Sequence, residues 1–317
     1  MLTPILIIDS MADFYGDKLS AAFPGAEFRT AAGREAVTPA LLKDAEVIVA
    51  LGTHRVFDEE LLQRVPRLRW IQALTTGTDA VTGLKSLKQD VIITTNTGIH
   101  GPQMSEMTLM HMLNLTRQAA TMWDNQKQGK WVRLPQIRLC DKTVVIVGVG
   151  SITEALAPRC KALGMKVHGV SSTLREVPGI DRMHPRAALE QVAAEADFLV
   201  IMVPLTPENV KLISARVIAA MKPSAYLINM ARGAVVDEEA MIAALRAGKI
   251  AGAGLDTATK MPLPPDHPLW HVPNLLITPQ LGGGSEVNHL LTLPIIENNM
   301  RCFFEGRFKD MVNRVAH

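Results

Sequence analysis

The 317-residue sequence has few cysteines, little surplus charge of either sign and no long apolar run. Its three cysteines, Cys140, Cys160 and Cys302, stand far apart, with no Cys-x-x-Cys or Cys/His spacing. That argues against a disulfide framework or a zinc site and makes a reducing compartment the default. Lys and Arg number 33 against 31 Asp and Glu, a formal charge of +2, and no basic run stands out. Neither nucleic acid nor a membrane surface is therefore an expected partner, since both need a concentrated basic patch. No apolar stretch approaches the roughly 20 residues of a membrane helix. The opening MLTPILIIDS lacks a basic flank before its apolar run, so it reads as a buried strand rather than a leader. A cytoplasmic protein is the expectation.

What is present is an ordinary globular composition, 48% hydrophobic and 20% charged, in a length that suggests two domains. Short β-rich runs alternate with helical ones. Strands are expected at 5–8, 47–51, 68–74 and 91–95, with helices at 12–23 and 58–62, a first small α/β domain. One long helical pattern runs from Pro102 to about Gln128, and its many Met residues read as core filler. A second alternation predicts six strands, at 143–147, 166–170, 198–203, 226–230, 253–256 and 275–277. Helices are expected at 187–196 and 238–247. Thr206-Pro207 and Asp237 signal helix starts. From about Glu286 the tail reads as helical to its end, RFKDMVNRVAH. Six strands with crossover helices describe a doubly wound nucleotide-binding sheet.

The strand TVVIV runs into Gly148-Val149-Gly150-Ser151-Ile152-Thr153 and then a helical segment. The first Gly permits the tight turn and the second lets backbone approach a pyrophosphate, which the N–H groups at Ser151 and Ile152 would meet. Thr153 replaces the third Gly, whose usual task is helix–strand packing rather than phosphate contact. After the second strand comes Ser171-Ser172-Thr173-Leu174-Arg175, with no carboxylate until Glu176. Small hydroxyls and Arg175 suit a 2′-phosphate, so NADP is expected ahead of NAD.

The segments GVGSITEALA, ADFLVIMVPLTPENVKLI, MKPSAYLINMARGAVVDEEAMIAALRAGKIAGAGLDT and PLPPDHPLWHVPNLLITPQLGGG resemble the D-isomer-specific 2-hydroxyacid dehydrogenases, especially their glyoxylate/hydroxypyruvate reductase branch. The likeness is strongest over about 94–285. It implies two α/β domains: a flavodoxin-like substrate domain from 1–97 and 286–317, and a Rossmann-type NAD(P)-binding domain from 98–285, with a cleft between them. It implies a small 2-oxo or 2-hydroxy acid as substrate and a homodimer. In LTTGTD, Thr76 and Gly77 match the loop holding the substrate carboxylate. Arg232 matches the arginine that clamps carboxylate and keto oxygen, a task suited to its planar fork. Asp256 matches the residue facing the nicotinamide carboxamide, and Val203 and Pro204 the adenine-side wall. Met104, Ala231 and Gly282 fall at further cofactor positions.

One departure stands out. The family usually places a histidine in a Thr-Pro-His segment, with a glutamate before a proline to hold it protonated. Here those segments read Thr278-Pro279-Gln280 and Thr259-Lys260-Met261-Pro262. Gln280 can donate a hydrogen bond but cannot shuttle a proton near neutral pH. A glutamate at 261 would be a buried charge without its partner, so the two losses read as one co-ordinated change. Three readings stay open. The proton source is relocated, with His100 in NTGIHG the first candidate and Lys260 and His271 weaker ones. Alternatively, the hydride transfer needs no proton shuttle. The third is a protein that binds NAD(P) without turnover, as a sensor or scaffold.

Overall fold

The computed structural model describes residues 2–316. They form two compact units, one from the chain up to Ile99 and from Ser285 onward, the other from His100–Gly284. In the first unit β1 (Thr3–Ile8), β2 (Ala26–Ala31), β3 (Val47–Ala50), β4 (Trp70–Ala73) and β5 (Ile92–Thr94) form one parallel sheet in the order β2-β1-β3-β4-β5. This is the flavodoxin-like order, reversing between β1 and β3. The central strands are apolar on both faces because both faces are covered. Leu6, Ile8, Ile48 and Ile71 pack with Phe57 and Leu61. On the other face Ile5, Ile7 and Trp70 meet Ile296, Met300 and Phe303 of the returning helix Asn288–Phe304. The Phe303 ring stacks on Trp70 at 5.3 Å.

Two expectations fail here. β2 (AEFRTA) went unseen because an edge strand with one buried residue in six carries no clear apolar pattern. Nor is the tail helical to its end. The helix stops at Phe304, and beyond it lie the single 3-10 turn Phe308–Asp310 and a bridge from Arg314 to Thr94. His317 lies outside the described residues.

In the second unit β6 (Thr143–Val147), β7 (Lys166–Ser171), β8 (Arg182–Pro185), β9 (Phe198–Ile201), β10 (Tyr226–Asn229), β11 (Gly252–Leu255) and β12 (Leu275–Ile277) form a parallel sheet. Its order is β12-β11-β10-β9-β6-β7-β8, a doubly wound Rossmann arrangement with its reversal between β6 and β9. There are seven strands rather than the six expected. The extra one, β8, reads RMHP and pairs only at the sheet edge. The long helical pattern is also broken. Gln118 takes a left-handed conformation (φ 55°) and separates helix Gly101–Arg117 from helix Ala119–Lys127. Its side chain donates to the Pro135 carbonyl at 2.6 Å, which pins the bend. Thr206 begins only the 3-10 turn Pro207–Asn209, and its side chain accepts no capping bond there. Asp237 caps helix Glu238–Arg246 as expected, accepting from the Ala240 N–H.

Candidate active site

The carboxyl ends of β6, β9, β10, β11 and β12 lie side by side, the edge of such a sheet where ligands bind. At the end of β6, Gly148 has φ 98°, and a Cβ there would come within 2.8 Å of the Met202 backbone. Only glycine fits. A Cβ on Gly150 would meet nothing within 4 Å, so the space above it is open. Helix Ser151–Ala162 starts there without a side-chain cap, leaving its first N–H groups and dipole to a ligand. Thr153 is fully buried and donates to the Gly148 carbonyl at 2.6 Å. The residue standing where a third glycine is usual thus ties turn to helix. An open cradle beside uncapped N–H groups fits a pyrophosphate.

Beyond β7, the Ser171 hydroxyl accepts from the Thr173 N–H at 3.2 Å, while Ser172, Thr173 and Arg175 are exposed. Arg175 is paired with Glu154 on the helix that follows the glycine turn. Val203 and Pro204 follow β9; the Pro204 carbonyl accepts from buried Asn209 at 2.8 Å.

After β10 the buried Asn229 side chain shapes the next turn. It accepts from the Ala231 N–H and donates to the Arg232 carbonyl, each at 3.0 Å. Gly233 packs so tightly on the backbone of Ala258 and Thr259 that any side chain would overlap it. Half-buried Arg232 donates to the Ala231 carbonyl at 3.0 Å. Its guanidinium therefore grows from a doubly pinned backbone.

Asp256, 5% exposed at the end of β11, is the knot of the site. One of its oxygens accepts from the Thr278 hydroxyl at 2.6 Å and the Leu281 N–H at 2.9 Å; the other accepts from the Gly282 N–H at 2.9 Å. Its backbone carbonyl takes the Gln280 N–H at 2.9 Å. A Cβ on Gly282 would press on the Asp256 carboxylate, the Met104 sulfur and Met230, all within 3 Å. Segment 278–282 thus wraps one carboxylate, leaving Gln280 exposed in the left-handed region at φ 59°. Non-glycine residues there are uncommon and tend to mark functional loops.

His100 sits just before helix Gly101–Arg117, 3.4 Å from Gln103 and bonded to the Gly283 backbone. Burial lowers its pKa, and the Gly283 bond opposes that shift. The structure thus brings Met104, Asp256, Gln280, Gly282 and His100 to one loop. His267 instead pairs with Glu238 at 3.6 Å and caps a 3-10 turn, and His271 is exposed. Met261 is 45% exposed, and its sulfur accepts from the Thr257 hydroxyl at 3.5 Å. The expectation of a buried charge at 261 therefore fails, because that position lies on an open loop. In the first unit Thr76 is exposed at the end of β4, and the Gly77 carbonyl accepts from Thr75 at 2.8 Å.

One site residue escaped the sequence reading. His111 is 0% exposed, and its Nε2 lies 3.0 Å from the Thr278 hydroxyl. Burial lowers its pKa to about 4, against the attraction of Asp256. The unfolded chain, with an ordinary imidazole, takes up that proton first. Stability from this group is therefore whole above about pH 6.5 and is lost as pH falls towards 4. Burial also lowers His168 and His184, which adds to the effect. Urea unfolding at pH 7.5 and pH 5 should show the protein weaker in acid, with a shallower slope for His111→Gln. Equal slopes would mean that His111 titrates normally in the fold.

The glycine turn, the open helix N-terminus and the strand order define a dinucleotide-binding domain of the doubly wound class. Residues 109–282 match the family model for the NAD binding domain of D-isomer specific 2-hydroxyacid dehydrogenase. Glyoxylate/hydroxypyruvate reductase B of Pectobacterium carotovorum is 32% identical over 276 residues, 85% of this chain and 85% of that enzyme. A crystal structure of a D-isomer specific 2-hydroxyacid dehydrogenase family protein from Aeromonas salmonicida superposes with TM-score 0.89 at 32% identity, covering 99% of each chain. A D-isomer specific 2-hydroxyacid dehydrogenase from Xanthobacter autotrophicus, solved with NADPH and MES, gives 0.82 at 29% identity over 99% of this chain and 98% of that one. The chain belongs to the D-isomer-specific 2-hydroxyacid dehydrogenases, a family of nicotinamide-dependent oxidoreductases.

Proposed function

We propose that the protein reduces a small 2-oxo acid to the 2-hydroxy acid, or runs the reverse reaction, with NADPH preferred over NADH. The knot around Asp256 carries this reading, because it fixes a loop on the same carboxyl edge of the sheet as the open glycine cradle after β6 and the pinned Arg232 after β10. Gly148, Gly150, Ser151 and Ile152 would hold the pyrophosphate, and Val203 and Pro204 the adenine side. Met104, Ala231, Asp256 and Gly282 would line the nicotinamide. Ser171, Ser172, Thr173 and Arg175 would take the 2′-phosphate, with Arg175 exchanging Glu154 for it. The Xanthobacter relative, solved with NADPH, supports that preference.

When bound, the nicotinamide supplies or accepts a hydride at C4. This chain's own part is to place and polarise the substrate carbonyl and to deliver a proton to its oxygen. Arg232 is assigned the carboxylate and keto oxygen. Gln280 contributes at most a hydrogen bond, so the proton is assigned to His100, beside the same loop. A base with a lowered pKa is mostly neutral at pH 7, so a reduction that draws its proton from His100 speeds up as pH falls below about 6.5. Exposed Trp123, Trp131 and Val132 on 119–137 favour a homodimer through the second unit, which light scattering checks.

The test is absorbance of the reduced nicotinamide with glyoxylate, hydroxypyruvate, pyruvate and phenylpyruvate, using NADPH and NADH from pH 5 to 8. Turnover with an acid-side limb that His100→Gln removes supports the full scheme. A rate flat with pH transfers the chemistry to a reaction without a protein proton donor. NADPH binding without turnover leaves a sensor.

A further inference from the structure

A fully buried imidazole is expensive unless its polar atoms are satisfied, and His111 is satisfied on one side only. Its Nε2 lies 3.0 Å from the Thr278 hydroxyl oxygen, and that hydroxyl lies 2.6 Å from Asp256. Nδ1 has no hydrogen-bond partner. Thr278 has one proton to give. If it went to His111, two oxygens would face each other at 2.6 Å without hydrogen between them. One arrangement puts a proton in each gap: His111 Nε2–H donates to Thr278, and Thr278 donates to Asp256. This assigns the tautomer and leaves Nδ1 as an unpaired acceptor rather than an orphaned buried N–H, the rarer of the two in folded proteins.

The fold has made room for this ring. A Cβ on Gly254 of β11 would lie 2.7 Å from His111 Nδ1 and 2.9 Å from its Cγ. The glycine in the strand is the notch into which the imidazole fits. On the other side, Thr278 opens the segment whose Gln280, Leu281 and Gly282 N–H groups all bond to Asp256.

We propose that His111 is a positioning residue: through Thr278 it sets the orientation of the Asp256 carboxylate, and with it the backbone that presents Gln280 and Gly282. Its catalytic meaning rests on the oxidoreductase reading above. Because the ring never meets substrate, its loss acts on the rate and spares substrate affinity.

The test compares the full-length protein with His111→Leu, His111→Gln, Thr278→Val, Thr278→Ser and the His111→Leu/Thr278→Val pair. Readouts are kcat, KM for the best 2-oxo acid, NADPH fluorescence titration and 15N NMR of labelled imidazoles. His111→Leu and Thr278→Val should each lower kcat about tenfold with KM within twofold, the scale of one lost hydrogen bond. The pair should be no worse than either alone, since both cut one relay. His111→Gln and Thr278→Ser, which keep a donor and a hydroxyl, should recover to within about threefold. Multiplying losses, or a Gln variant as slow as the Leu one, would overturn the proposal. Should His111→Leu fail to fold, Thr278→Val against Thr278→Ser carries the kinetic test. Should the wild type turn over nothing, the oxidoreductase reading fails by itself, and NMR decides the relay. An Nε2–H tautomer at pH 7 that shifts in Thr278→Val upholds it; an Nδ1–H or charged ring refutes it.

Discussion

Arg232→Ala is expected to lower kcat/KM for reduction by about a hundred- to thousand-fold, the range seen when one donor to a developing oxyanion is removed. NADPH binding should stay within about threefold of wild type. The expectation rests on how the guanidinium is mounted. Asn229 grips the turn on both sides of Ala231, and Gly233 is wedged against 258–259, so the side chain starts from a fixed backbone. A donor already in place at the transition state costs no reorganisation then. Arg232→Lys should recover little, because an ammonium lacks the two parallel N–H groups that match a carboxylate. Steady-state rates beside fluorescence titration separate the two effects. A variant that keeps its rate would remove Arg232 from the chemistry and put the substrate elsewhere.

The second large effect is a gain. Gln280→His combined with Met261→Glu should raise the reduction rate at pH 8 by about a hundred-fold, the lower end of what a placed general acid contributes, because His100 with its lowered pKa is scarcely charged there. The backbone at 280 is already left-handed and pinned by bonds from its N–H to Asp256 and Thr278. Histidine is among the residues that accept that region, so the loop need not rearrange. Met261 is on an open loop, so a glutamate there keeps part of its hydration. Gln280→His alone should yield a smaller gain confined to acid pH, and the added glutamate should move the limb upward by favouring the charged ring. Rate against pH for the two variants tells these apart. If neither exceeds the wild type even at pH 8, proton delivery by His100 does not limit the rate and Gln280 is no gap.

Both sheets were legible where strands are buried on both faces, since β1, β3, β6, β9 and β10 are near-continuous apolar runs. The edge strands β2 and β8 were not, because a half-exposed strand such as AEFRTA or RMHP has no run to detect. The break at Gln118 was hidden because glutamine is a good helix former, and the bond to Pro135 that sets the bend joins residues 17 apart. The glycine turn, Arg232 and Asp256 could be found because their motifs are local. His111 could not. Its partners, Gly254 and Thr278, are more than 140 residues away, and one histidine in MSEMTLMHMLNLTR looks like any polar residue on a helix. The signal that existed was double: a helical face bearing Met104, Thr108 and His111, and the strand GAGL, whose glycines leave space for something to fill.

The first unit takes its last packing layer from the end of the chain, and this orders assembly in time. The residues that cover Ile5, Ile7 and Trp70, namely Ile296, Met300 and Phe303, leave the ribosome after the whole of the second unit. Synthesis therefore completes the nucleotide sheet while one face of the N-terminal sheet is covered only in part, by Ala12, Tyr15 and Leu19, the reverse of the usual N-to-C order of maturation. A chain cut after Gly284 is a finished cofactor domain carrying an unfinished, sticky partner. Chaperone capture and proteolysis during translation should fall on the segment that was made first.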